Sequence, residues 1–100
     1  MFITMNRFKI KLGAEQTFIE IWKGRDSYLE TVPGFKSFHL LRGETKEDHT
    51  LISSHVMWES KAAFQAWTKS DAFKKAHANA GAPKDIYMGP PQLECFEAAF

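Results

Sequence analysis

Three side chains stand where a packed core does not need them: Asn6, Trp67 and His77. His77 lies in "KSDAFKKAHANAG", where Phe73, Ala76, His77 and Ala80 recur on one side of a helix and Lys74 and Lys75 fall outside it. Alanines beside an imidazole leave room, and a neutral imidazole in an apolar cleft is an axial ligand for haem iron. The plainer reading is a core histidine bonded to a carbonyl. Asn6 shares a strand face with Phe8, Ile10 and Leu12, where an amide is costly unless satisfied. Its NH₂ could donate to dioxygen or to a substrate oxygen over that face, or to a neighbouring strand. Trp67 shares a stripe with Phe64; it either packs in the core or presses a rigid indole against a flat ligand. On a continuous helix, Trp67 and His77 would be about 15 Å apart along the axis.

Arg25 interrupts the stripe Phe18, Ile21, Trp22, Tyr28 and Leu29. A guanidinium there can receive a carboxylate or snorkel to the rim. His39, His49 and His55 lack metal-ligand spacing, which argues against a zinc site. Cys95 reads as a small hydrophobe in the last strand. No GxGxxG, GxxxxGKS or GxSxG pattern occurs, so nucleotide binding and acyl transfer have no positive support.

The elements that must position these residues follow from periodicity. Phe2 to Leu12 alternates as a strand; a helical run begins at Glu15 and extends to about Thr31, ended by "TVPGF". Phe35–Arg42 and Thr50–Trp58 form two strands joined by the loop "GETKEDH". Ser60 caps a helix, and Ser70 or Asp71 caps another, predicting two short helices that meet near Lys69. The stretch from Gly81 to Pro91 is a loop, and Leu93–Phe100 is the final strand. The order is a split βαβ repeat: one α+β, ferredoxin-like domain over residues 1–100, with a four-stranded antiparallel sheet and helices on one face. Ile3 and Met5 lie on the other face, which predicts burial against a second copy in a homodimer.

The chain has 100 residues, 44% apolar and 14% aromatic, with nine Phe and three Trp. That aromatic wealth suggests an additional buried surface or a flat apolar ligand. A net charge of +1 with interspersed signs argues against nucleic acid as a partner. One cysteine and no long apolar run lead us to expect a cytoplasmic protein without a membrane segment.

"MNRFKIKLG", "VPGF", "WESKAAFQAW" and "KSDAFKKAH" together resemble the IsdG-type haem-degrading monooxygenases, of the antibiotic biosynthesis monooxygenase superfamily of dimeric α+β barrels. The likeness spans nearly the whole chain. "PGF" and "WES..AF" are shared with cofactor-free oxygenases; the Asn, Trp and His combination is what sets the haem degraders apart. The resemblance implies that His77 is the proximal iron ligand, that Asn6 donates a distal hydrogen bond and that Trp67 pushes the porphyrin out of plane. Arg25, Phe64 and Phe73 are further expected contacts, Arg25 with a propionate. Haem would be both cofactor and substrate, consumed with dioxygen and an electron donor to release iron. The alternatives are a cofactor-free monooxygenase of a polycyclic aromatic and a non-enzymatic haem-binding dimer.

Overall fold

The computed structural model describes residues 1–25, 28–78 and 84–100. Strand β1 (Phe2–Lys11) is followed by helix α1 (Glu15–Lys23), a 3-10 turn (Leu29–Thr31), and strands β2 (Phe35–Thr45) and β3 (His49–Trp58). Helices α2 (Lys61–Thr68) and α3 (Asp71–Ala78), a second 3-10 turn (Lys84–Ile86) and strand β4 (Gln92–Glu97) complete the order. All pairings are antiparallel, and the sheet runs β2-β3-β1-β4. The expected α+β, ferredoxin-like architecture is the one observed.

Several boundaries differ from those expected, each for a local reason. Helix α1 stops at Lys23, not near Thr31, because Gly24 caps it; the chain then reaches Tyr28 in the left-handed conformation (φ 58°), which no α-helix accommodates. Arg25 therefore follows the helix and is not part of its stripe. The β2–β3 hairpin is tighter than expected: Gly43 to Thr45 continue the strand through an irregularity between Arg42 and Thr45, and His49 opens β3. Strand β4 ends at Glu97, three residues short of the expected end. The 81–91 loop is a 3-10 turn over Lys84–Ile86, with Tyr87 bridged to Ile10; residues 81–83 lie outside the described residues.

Register explains the core. On the helix-facing side of β1, Phe2, Thr4, Asn6, Phe8 and Ile10 alternate inward, opposite Trp58, Val56, Ser54, Ile52 and Thr50 of β3. The middle of this double row is polar at Asn6 and Ser54, with the apolar pairs Phe2–Trp58 and Phe8–Ile52 to either side. One buried cluster, Phe8, Ile10, Phe18, Ile52 and Ile86, sits with α1; the other, Phe2, Leu29, Val56 and Trp58, sits with Phe64 and Trp67 of α2. Thr4 is satisfied by the Trp58 indole, whose Nε1 donates to Oγ1 at 3.1 Å. Asn6 and Ser54 lie between the two clusters.

Gly34 explains the "PGF" motif. Its φ is +84°, and a Cβ built on it would fall 2.5 Å from the Ala63 Cβ of α2, so the turn before β2 and this helix approach too closely for any side chain. The Gly34 carbonyl accepts the Glu59 N–H at 2.7 Å, tying the turn to the end of β3.

The opposite sheet face carries Ile3, Met5, Met57, Leu41 and Phe96, with Leu41 and Phe96 43% and 46% exposed, and the Arg7–Glu94 ion pair crosses it. Cys95 is exposed rather than packed, because the helix layer leaves β4 uncovered.

Candidate active site

Between the two core clusters lies a cavity of about 450 Å³, within the ordinary size range of small-molecule sites. Its floor is the polar middle of the sheet, Thr4, Asn6 and Ser54. Its walls are contributed by α1, α2 and α3, and by Phe38 of β2. Asn6, Arg25, Phe64, Trp67, Phe73 and His77, the six residues singled out from the sequence, all line it. No described group of three or more His, Cys, Asp or Glu could hold a metal ion.

The break between α2 and α3 builds the histidine side of the cavity. Ser70 is the pivot: its hydroxyl donates to the Trp67 carbonyl at 2.6 Å and accepts the Phe73 N–H at 3.2 Å, closing one helix and capping the next. Ser60 caps α2 in the same manner through the Ala63 N–H. Because the chain turns at Lys69–Ser70, the Trp67 and His77 rings lie 6.0 Å apart rather than at the spacing of a continuous helix.

His77 is exposed, not buried in the core. Its ring stacks on Phe73, centroids 4.0 Å apart, and its Nδ1 lies 2.8 Å from the Phe73 carbonyl oxygen. A carbonyl only accepts, so Nδ1 carries a proton, and the tautomer this selects for an uncharged ring leaves the lone pair on Nε2. This is the orientation a ligating histidine requires. The carbonyl bond expected of a core histidine is thus present, but on an open ring at the edge of a cavity.

Trp67 is held by Trp58 at 5.4 Å, Phe64 at 6.3 Å and Phe73 at 4.8 Å in an edge contact. The indole N–H groups of Trp67 and Trp22 are buried without an acceptor among the described residues. Each such orphan costs about 1–3 kcal/mol, so both rings are placed for their surfaces at the expense of their donors. The Asn6 side-chain amide is partly buried and has no hydrogen-bond partner among the described residues, while its backbone N–H donates to Ser54 Oγ at 3.2 Å. The bond to a neighbouring strand that would make Asn6 structural is absent there.

Arg25 lies over the Trp22 ring, with Cζ 4.6 Å from its centroid. Burial pulls its pKa below the usual arginine value, against a smaller upward pull from Tyr87, and Tyr87 is itself pushed up by burial. The guanidinium is charged at any ordinary pH.

Sequence reasoning missed Trp22, Phe38, Ser54 and Thr4 as cavity residues. Trp22 was indistinguishable from its core stripe. Ser54 was legible in principle, since a polar residue between Ile52 and Val56 mirrors Asn6 once the β1–β3 register is known.

A ferredoxin-like sheet with a one-sided aromatic cavity defines the class. Residues 1–79 match the antibiotic biosynthesis monooxygenase family, and the chain belongs to that family. It is 34% identical over 88 residues, covering 88% of this chain and 81% of the relative, to a heme-degrading monooxygenase of Bacillus thuringiensis. Among solved structures it is similar to MhuD, a heme-degrader from Mycobacterium tuberculosis with two hemes bound in its active site (TM-score 0.75, 30% identity, 100% of this chain and 97% of the other). It also shares its fold with SnoaB, a cofactor-independent oxygenase from Streptomyces nogalater (TM-score 0.67, 18% identity, 99% and 94% covered).

Proposed function

We propose that this protein is a haem-degrading monooxygenase that binds haem as cofactor and substrate and opens it oxidatively with dioxygen and an electron donor, releasing iron. The observation that carries this reading is His77: an imidazole whose Nδ1 is occupied by the Phe73 carbonyl, offering Nε2 at the wall of a cavity lined by aromatic rings. The residues fit the group. His77 would hold the iron, Phe64, Trp67 and Phe73 would contact the macrocycle, and Arg25 would receive a propionate. When bound, haem supplies the redox-active iron and the carbon skeleton that is oxidised.

The chain's own residues do the rest. Phe73 fixes the tautomer and the plane of His77. Asn6 holds an unspent N–H donor over the sheet floor, free to bond an oxygen atom of a reactant. Trp67, held by three aromatic neighbours, would set a firm indole surface against the macrocycle.

The uncovered sheet face with Ile3, Met5, Met57 and Phe96 supports a homodimer that packs sheet on sheet, and sedimentation would report it. No helix among the described residues is long and apolar enough to cross a membrane.

Titration with hemin tests the function. A Soret band of histidine-ligated haem, lost in His77→Ala, and bleaching of that band with iron release on adding reductant in air, are the expected results. Absence of stoichiometric binding would overturn the proposal, and tight binding without turnover under any reductant would leave a haem carrier. The polar floor of Thr4, Asn6 and Ser54 supports a second reading, cofactor-free oxygenation of a polycyclic phenol. Oxygen uptake with an anthrone and no haem would favour it.

A further inference from the structure

Trp22 belongs to none of the roles above, yet it touches more of the cavity's chemistry than its place in α1 foretells. Its ring stacks on Phe38 of β2, centroids 5.9 Å apart and planes 11° from parallel. Phe8 and Phe18 pack against it from the core at 5.6 and 5.8 Å. The Arg25 guanidinium lies over it at 4.6 Å. Trp22, Phe38 and Arg25 all line the cavity. Among the described residues no carboxylate pairs with Arg25, so a half-buried cation is left with an aromatic ring as its neighbour.

A flexible side chain just past a helix end would ordinarily extend into water, where its charge is best solvated. The indole offers an alternative: the ring's negative face attracts the cation, and more strongly where water is partly excluded. Trp22 is itself immobilised by three aromatic contacts, so it is a fixed platform rather than a second mobile group. A guanidinium lying on such a platform keeps its N–H edges free, and those edges suit a planar carboxylate in two-point contact.

We propose that Trp22 is a positioning residue: braced by Phe38, it holds Arg25 at the cavity wall as an anion site, so that the cavity selects flat apolar ligands bearing a carboxylate edge. This rests on the haem reading for the identity of the ligand, but it makes a separate claim about how the ligand is chosen. Stacking alone would accept a neutral ring system equally well.

The test uses iron-free protoporphyrin IX and its dimethyl ester, which share one ring system and differ in charge, followed by porphyrin fluorescence at fixed co-solvent. Omitting iron removes any contribution of His77 ligation. The wild-type protein is expected to bind the diacid roughly ten- to a hundred-fold more tightly than the ester, the worth of a charge-assisted contact. Arg25→Gln should abolish that preference. Trp22→Leu should reduce it severalfold, while Trp22→Phe, which keeps an aromatic face, should largely restore it. With Arg25 present, Trp22→Leu should weaken the diacid more than the ester, and in an Arg25→Gln background it should weaken both alike, whereas a merely structural role for Trp22 would weaken both alike in each background. Equal binding of diacid and ester by the wild-type chain overturns the inference even if hemin gives its His77-dependent Soret band. Full preference retained in folded Trp22→Leu overturns it as well, and the wild-type comparison stands should that variant fail to fold. Failure of the Soret test alongside a strong diacid preference would instead remove the haem reading and leave the anion site.

Discussion

The rings of Trp67 and His77 lie 6.0 Å apart although they stand ten positions apart in the chain, and the cause is one serine. Ser70 terminates α2 through the Trp67 carbonyl and starts α3 through the Phe73 N–H, so the two side chains meet across the bend. Ser70→Ala removes both bonds. The expected cost is about 1 kcal/mol of stability, typical of a lost N-cap. Hemin affinity should fall further than stability does, because the bend sets where His77 stands relative to Trp67. Urea denaturation and hemin titration on the same variant check the two effects separately.

Asn6 separates structure from function more cleanly. Its amide has no partner among the described residues, so Asn6→Ala should leave the urea midpoint nearly unchanged, within about 0.5 kcal/mol. If the amide donates to a reacting oxygen, turnover should fall by on the order of a hundredfold, as when a single preorganised donor is lost. A large loss of stability with turnover intact would assign Asn6 to the fold instead.

Gly34 tests the framework. Alanine there meets both an unfavourable φ of +84° and the Ala63 Cβ at 2.5 Å. Strain and overpacking together predict a loss of roughly 2–4 kcal/mol. Ala63→Gly removes the opposing methyl, and the double variant should recover the overpacking part but not the backbone part. Thermal melts of the four proteins resolve the cycle.

These cases show what could be read before the fold was known. Alternation located β1 and its Asn6-bearing face, and β-forming residues located β3; the register between them was not legible, because β1 meets β3 across an intervening helix and strand rather than through a hairpin. A cap at Ser60 and another at Ser70 or Asp71 were legible from residue type, and with them the break that brings His77 toward Trp67. The angle of that break was not, because it depends on Ser70 using both lone pair and proton, a choice made by tertiary packing. The early end of α1 was hidden for a similar reason: an apolar stripe continued through Tyr28 and Leu29, but the backbone left the helix at Gly24, and Leu29 reached the core from a 3-10 turn capped by Tyr28. Trp22 was placed on the right face and given the wrong company, since no sequence pattern announces that an arginine three residues on will fold back over an indole.

The acid response of the fold should be traceable to Glu15. Its carboxylate accepts the Thr50 hydroxyl at 2.7 Å and the Gly13 N–H at 2.8 Å, linking the start of α1 to β3 and to the preceding turn. The Thr50 bond foremost, then hydrogen bonds to backbone N–H groups, hold its pKa below the ordinary carboxylate value, against a smaller desolvation effect; Arg42 adds a weak attraction. A carboxyl group whose pKa is lower folded than unfolded binds protons more readily in the unfolded chain. Its stabilising effect is therefore complete above the unfolded value, about 4.5, and is lost as pH falls through the folded one. Urea midpoints measured from pH 6 downward should decline below about 4.5, and Glu15→Gln should be less stable than wild type at pH 6 with a shallower decline. Thr50→Val should shift the wild-type curve in the same direction by removing the principal donor. Parallel pH profiles for wild type and Glu15→Gln would show that other carboxylates govern the acid limb.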